Sequence, residues 1–228
     1  MRATLCFGGS IIAPRFPKVE LIRETARVLR GLRSDGHEIL AVVGGGGISR
    51  KLINAARELG ASDRICDSIG IEVTRLNAQL LASALGDVAE PSPLESFEVA
   101  VRAMFKRKIP VMGGVAPGQT TDAVAAGLAD SSKSDLLIYF VDVGGVYTSD
   151  PKRSSKAKKR EQMKASSLVN LVSRTKIRPG VAAVVDPLAA KIIQRSNLRT
   201  LVLGRREIGR LPKVLKGEGH SGTTILSR

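Results

Sequence analysis

Four short apolar runs in this chain stop abruptly at glycines, and helical periodicity fills the intervals between them. Leu5 to Phe7 ends at Gly8-Gly9-Ser10, and Ile39 to Val43 ends at Gly44-Gly45-Gly46-Gly47. Ile109 to Met112 meets Gly113-Gly114, and Leu136 to Val141 runs into Asp142-Val143-Gly144-Gly145. Short runs of this kind are buried strands, and strands alternating with helices make an α/β fold around a largely parallel sheet. In such a sheet ligands bind beyond the carboxyl ends of the strands. Glycine there lets the backbone approach a ligand closely, and successive free N–H groups form anion nests. Glycine turns on one rim would therefore line a crevice for phosphates.

The intervals carry helix signals. Val19, Ile22, Ala26 and Leu29 recur at helical spacing, with Gly31 and Gly36 punctuating the stop. After the four glycines, Ile48, Leu52, Ala55, Ala56 and Leu59 share one face of a helix. Asp63 to Leu85 forms a long helix carrying Ile65, Ile69, Val73, Leu76 and Leu80. Further helices are expected at Leu94 to Arg107, Asp122 to Ala129, Ser166 to Ser173 and Pro187 to Arg195. Leu201 to Leu203 reads as a strand and Thr223 to Leu226 as a closing edge strand. Lys152 to Lys164, with seven Lys/Arg against one Glu, reads as a basic loop, most mobile around Lys156.

Composition narrows the function. The 228 residues hold 36 Lys+Arg against 21 Asp+Glu, a formal charge of +15, so the surface favours anions. Two Tyr, five Phe and no Trp leave little for base stacking, which argues against nucleic acid as the partner. No apolar run is long enough to span a membrane. The N-terminus carries no signal-peptide stretch, and two cysteines, Cys6 and Cys66, suggest a reducing cytoplasm rather than a disulfide framework. The known phosphate motifs do not fit: Gly44 to Lys51 lacks the P-loop's second glycine with Lys-Ser/Thr, and Ser49 replaces the third glycine of the dinucleotide fingerprint.

Taken in order, Gly8-Gly9-Ser10, Val43-Gly44-Gly45-Gly46, Gly113-Gly114 through Pro117-Gly118 to Thr120-Thr121-Asp122-Ala123-Val124-Ala125, and Gly145-Val146-Tyr147-Thr148-Ser149-Asp150-Pro151-Lys152 resemble the amino acid kinase superfamily, and within it the archaeal-type UMP kinases. Ile69-Gly70-Ile71, Thr74-Arg75, Asn77-Ala78 and Asp186-Pro187-Leu188-Ala189 fit the same pattern, so the resemblance covers essentially the whole chain. It implies a three-layer αβα sandwich forming a single domain over 1–228, with a UMP lobe at 1–130 and an ATP lobe at 131–228. It implies phosphoryl transfer from ATP to UMP with Mg²⁺ accompanying ATP, no metal ligand from the protein, and a homohexamer. By the same resemblance, Gly44, Asp67, Gly114, Val115, Ala116, Pro117, Gly118, Gln119 and Thr120 would hold UMP. Gly9, Ser10, Gly45 and Arg50 would meet the ATP phosphates, and Val141, Asp142, Tyr147 and Asp150 the adenosine. Arg50 would also stabilise the charge of the migrating group.

Without the family, Asp67 reads as an exposed helix carboxylate, Arg50 as a surface arginine, Tyr147 as a packing residue and Asp150 as the start of a turn. The chain departs from the pattern at Cys6, where many members carry lysine, and at Gly47, Val141 and Gly144, where polar groups are lost. Those losses keep open an alternative, a weak or inactive nucleotide or oxyanion binder on the same fold. His37 and His220 read as turn and loop residues. The expected chemistry needs no general base, because a phosphate monoester is already an ionised nucleophile.

Overall fold

The computed structural model describes residues 1–149, 151–152, 154–173 and 185–226. The four glycine-ended runs become β1 (Arg2–Phe7), β2 (Glu38–Val43), β3 (Val111–Met112) and β4 (Leu136–Phe140). They are followed by β5 (Val146–Tyr147), β6 (Lys159–Arg160), β7 (Gln162–Lys164), β8 (Thr200–Leu203) and β9 (Thr223–Leu226). The main sheet has the order β3-β2-β1-β4-β8-β9-β7, and β5 and β6 form a separate antiparallel ribbon. From β3 to β8 the strands are parallel; β9 runs antiparallel to β8 and parallel to β7. Phe7 stands opposite both Val43 and Phe140, so β1, β2 and β4 end level with one another.

The helices are α1 (Gly9–Ile12), α2 (Val19–Ser34), α3 (Gly46–Glu58), α4 (Asp63–Leu85), α5 (Phe97–Phe105), α6 (Thr121–Ser131), α7 (Ala165–Val172), α8 (Pro187–Arg195) and α9 (Leu211–Leu215). Alternating strand side chains divide the core in two. Leu5, Phe7, Ile39, Ala41, Val43, Ile138 and Phe140 meet Leu29 of α2, Leu81 of α4 and Leu211 of α9 on one face. Cys6, Leu40, Val42, Leu137 and Tyr139 meet Met104 of α5, Val124 of α6, Leu168 of α7 and Ile193 of α8 on the other. The result is the expected three-layer αβα sandwich. Phe7 and Phe140 stack across the parallel pair with centroids 5.1 Å apart.

Several sequence expectations shift. Thr223–Leu226 is not an edge strand: it lies between β8 and β7, and the edge belongs to Gln162–Lys164 from the supposed loop. Lys159 and Arg160 likewise pair with Tyr147 and Val146, so the second half of the basic segment is laddered. Charged, exposed side chains hid two strands, of which only Met163 reaches the core. The apolar face read for α3 is rotated: Leu52 and Leu59 are exposed, while Gly46, Gly47, Ser49, Ile53 and Ala56 are buried. In α4, Ile65, Leu76 and Leu80 face outward, and the buried face carries Thr74, Asn77 and Ala78. Helix α2 passes through Gly31 and stops before Gly36, whose φ is +85°. Helix α5 is shorter than the pattern because Leu94 bridges to Met112 and Ser96 caps the helix start.

The turns after β1 and β2 touch backbone to backbone. A Cβ on Gly9 would lie 1.9 Å from the Gly46 nitrogen. Gly46 itself has φ +72°, and a Cβ there would lie 2.0 Å from the Ala13 carbonyl oxygen. Both strain and collision oppose any side chain at position 46. Gly46→Ala should therefore cost roughly 2–5 kcal/mol in urea unfolding. A loss below about 1 kcal/mol would mean that the turn relaxes freely.

Candidate active site

Because β1, β2 and β4 end together, their turns enclose a cavity of about 870 Å³ beyond the sheet. The sheet order places the turns after β2 and β3 at one end, the turn after β1 in the middle and the segment after β4 at the other end. Gly44, Asp67, Gly70, Ile71, Thr74, Gly114, Gln119 and Thr120 line the first end. Gly8, Gly9, Ser10, Gly45, Gly46 and Arg50 occupy the middle. Val141, Asp142, Val146, Tyr147, Leu168, Leu171 and Val172 line the other end, a more apolar wall.

The structure therefore gathers most of the residues singled out from the sequence. Gly9, Ser10, Gly44, Gly45, Arg50, Asp67, Gly114, Gln119, Thr120, Val141, Asp142 and Tyr147 all line one cavity. Val115, Ala116, Pro117 and Gly118 do not reach its wall, and Val115 packs instead against the core beneath α6. Asp150 lies outside the described residues. Gly144 departs from the expected common rim. With φ +69° it turns away from the main cavity and lines a neighbouring cleft with Gly204, Arg205 and Arg206.

Local bonding sets the geometry. Asp67 accepts a hydrogen bond at Oδ2 from the Gly118 N–H at 2.8 Å, anchoring the loop after β3 to α4. Thr120 caps α6 by accepting from the Ala123 N–H. Asp186 caps α8, with Oδ1 accepting from the Leu188 N–H at 2.6 Å and the Ala189 N–H at 3.0 Å, and Pro187 opens the helix. The Tyr147 hydroxyl donates to the Val143 carbonyl, and Lys152 pairs with Asp142.

Two residues to which the sequence pattern assigns no role stand on the cavity wall, Asp122 and Asp186. Asp122 is enclosed by β1, β4 and the start of α8. Burial, and then the Asp186 charge, push its carboxyl up to about 7. The Cys6 thiol stands 3.7 Å from Asp122 Oδ1, and burial followed by the Asp122 charge raises its pKa well above the usual range. The Tyr139 hydroxyl donates to the Asp122 carbonyl at 2.8 Å. Asp186 before Pro187 carried a cap signature, but its meeting with Asp122 depends on how α6 and α8 pack, which no local pattern reveals.

Residues 1–204 match the amino acid kinase family, and the chain belongs to that family. Among its relatives, the uridylate kinase of Thermococcus kodakarensis is 42% identical over 225 residues, covering 99% of each chain. The uridylate kinase of Halobacterium salinarum is 43% identical, covering 99% of this chain and 93% of that one. The crystal structure of uridylate kinase from Archaeoglobus fulgidus superposes with a TM-score of 0.86 at 40% identity, covering 99% of this chain and all of that one.

The carboxylate pair has a measurable consequence. Asp122 rises from 3.8 to about 7 on folding, so between these values the folded state holds a proton that the unfolded state has released. Stability contributed by this group is thus lost as pH rises from about 4 to about 7. Without nucleotide or Mg²⁺, Asp122→Asn should match the natural chain in Tm near pH 4. It should exceed it by on the order of 5–10 °C at pH 8. A difference independent of pH, read by differential scanning fluorimetry, would contradict the raised carboxyl.

Proposed function

We propose that this chain transfers the γ-phosphoryl group of ATP to UMP, giving ADP and UDP, a step in pyrimidine nucleotide biosynthesis. The observation that carries the reading is one cavity whose two ends differ as two nucleotide sites would, joined by a glycine-lined middle, in a chain whose full-length relatives are uridylate kinases. Residues 1–130 supply the UMP side and residues 131–228 most of the adenosine side. Gly44, Gly114, Gln119 and Thr120 hold UMP, with Val115 to Gly118 shaping the loop behind them. The Asp67 oxygen not taken by Gly118 accepts from the ribose hydroxyls. Val141, Asp142 and Tyr147 surround the adenosine, and the family resemblance assigns Asp150 to the same site.

A UMP phosphate oxygen attacks the γ-phosphorus in line, the bond to the β-phosphate oxygen breaks, and ADP leaves with that electron pair. Both reactants are anionic, so the protein's work is alignment and charge neutralisation. The N–H groups of Gly9, Ser10 and Gly45 and the Arg50 guanidinium face the phosphates. Mg²⁺ fits the carboxylates present: Asp122 and Asp186 crowd each other on the cavity wall, and a divalent cation relieves that repulsion. Among the described residues no cluster of three or more acidic, His or Cys side chains forms a closed cage. A cation arriving with the nucleotide would be held by one or two carboxylates and the phosphates themselves. When bound it neutralises phosphate charge.

We place the protein in the cytoplasm, where ATP and UMP are available and where the buried free thiols of Cys6 and Cys66 persist. A homohexamer, as the family resemblance implies, would cover Leu59, Leu76 and Phe105, now 88%, 66% and 68% exposed. Among the described residues no helix is long and apolar enough to cross a membrane.

A coupled assay over the nucleoside monophosphates with Mg-ATP should give UMP the highest kcat/KM. A tenfold preference for CMP or a non-nucleotide acid overturns the assignment, and tight UMP binding without turnover would make the chain a binder. Arg50→Ala should lower kcat/KM about 10²-fold, equivalent to losing a charge-assisted contact of about 3 kcal/mol. An unchanged rate would return Arg50 to the protein surface. Light scattering should give a mass six times that of the chain.

A further inference from the structure

We propose that Asn77 is a positioning residue for phosphoryl transfer, acting through the glycine turn after β2. The proposal rests on the kinase reading above and adds to it a residue that does not touch the cavity. Asn77 is 3% exposed on the inner face of α4. Its side-chain amide nitrogen donates to the Gly44 carbonyl at 2.9 Å and the Gly45 carbonyl at 3.0 Å, so both of its hydrogens are used.

The consequence follows from peptide geometry. In a planar trans peptide the C=O and the next N–H point in opposite directions. Holding the carbonyls of Gly44 and Gly45 against Asn77 turns the N–H groups of Gly45 and Gly46 away from it, to the side where Gly9 stands over the Gly46 nitrogen. Neither N–H finds an acceptor among the described residues. The Gly45 N–H is therefore a free donor for a phosphate oxygen, while the Gly46 nitrogen is covered by Gly9.

Four successive glycines have no side chains to choose between this arrangement and its flip, which would present carbonyl oxygens to the phosphates. Asn77 makes that choice. One turn earlier on α4, the Thr74 hydroxyl accepts from the Gly114 N–H at 2.6 Å and donates to the Ile71 carbonyl. A single helix thus fixes the donor turn and the acceptor loop relative to each other.

The test compares Asn77→Ala and Asn77→Asp with the natural chain, measuring kcat, the KM of each substrate, Tm, and ADP affinity by calorimetry. Alanine removes the hold on the two carbonyls and leaves the turn fixed only at its ends, by the Gly44 N–H on Phe7 and the Gly47 N–H on Ala13, and kcat should fall about tenfold with the KM for UMP within threefold. Aspartate repels both carbonyls, and kcat should fall beyond 100-fold with ADP affinity weakened. Both losses should exceed what any change in folded fraction explains. Asn77→Ala within twofold of the natural kcat overturns the proposal. So do losses that track Tm equally in both variants, which would make Asn77 merely structural. If Asn77→Asp does not fold, Asn77→Ala decides alone by the same limits. Failure of the kinase reading is separate: the natural chain would then prefer another acceptor. The variant ratios taken with that acceptor, and the ADP affinities, still judge Asn77.

Discussion

Contact of backbone on backbone, where the turn after β1 meets the turn after β2, governs the rest of this structure. Gly9, Gly44 and Gly46 approach so closely that a Cβ on any of them would fall within 2.5 Å of a neighbouring main-chain atom. That approach requires β1 and β2 to end at the same height, which the pairing of Phe7 with Val43 ensures. It also draws α3 inward at its first turn, against Ala13 and Pro14, so the buried stripe of α3 begins with glycine rather than a large apolar side chain. A cavity wall made of backbone needs this absence of side chains, and the close approach of the two turns supplies it.

The same constraint explains why α4 is unusual. Its inner face holds Thr74, Asn77 and Ala78 where a helix serving only the core would hold larger apolar residues. Small and polar groups let the turns settle onto the helix and satisfy main-chain groups that would otherwise be stranded. The bulky Leu76 and Leu80 are left outside. Helix α4 therefore has two jobs. Its C-terminal half contributes Leu81 and Leu85 to the core, while its middle contributes hydrogen bonds to the site.

This division marks what could be read from the sequence. The strands β1, β2 and β4 were legible because both faces are buried and the runs are continuously apolar. The limits of α4 agree with the reading from Asp63 to Leu85, and in the structure Ser62 caps its start and Gly86 ends it. The glycine-rich wall was legible because glycine declares itself. Facing was not: Leu52 and Leu59 looked like core because periodicity says that a helix has an apolar face, not which of two such faces turns inward. The edge strand Gln162–Lys164 was hidden because its identity lies in backbone pairing with β9, across some 60 residues of chain. Asp122 and Asp186 sit 64 positions apart, and their meeting belongs to tertiary packing alone.

The charge in the crevice completes the argument. The chain as a whole carries +15, yet the described part of the cavity wall presents Asp122 and Asp186 side by side. In much of the wider family a lysine on the first strand stands two residues before the glycines, the place Cys6 occupies here. A lysine there would compensate Asp122 with a full charge; the Cys6 thiol, whose own pKa is driven upward by burial and by that same carboxylate, offers only a weak hydrogen bond that burial and the Asp186 charge outweigh. The Asp122 carboxyl accordingly rises towards neutrality rather than sitting low as an ion-paired carboxylate would. On the proposed kinase reading, positive charge for the phosphates would come from elsewhere: from Arg50 and Lys152 on the cavity wall, from the Gly45 N–H, and from the cation accompanying ATP. On that reading the N–H donors would carry more of the electrostatic work here than in a relative with the lysine. On the same reading a side chain that orients those groups without touching the substrate would have a strong lever on the chemistry.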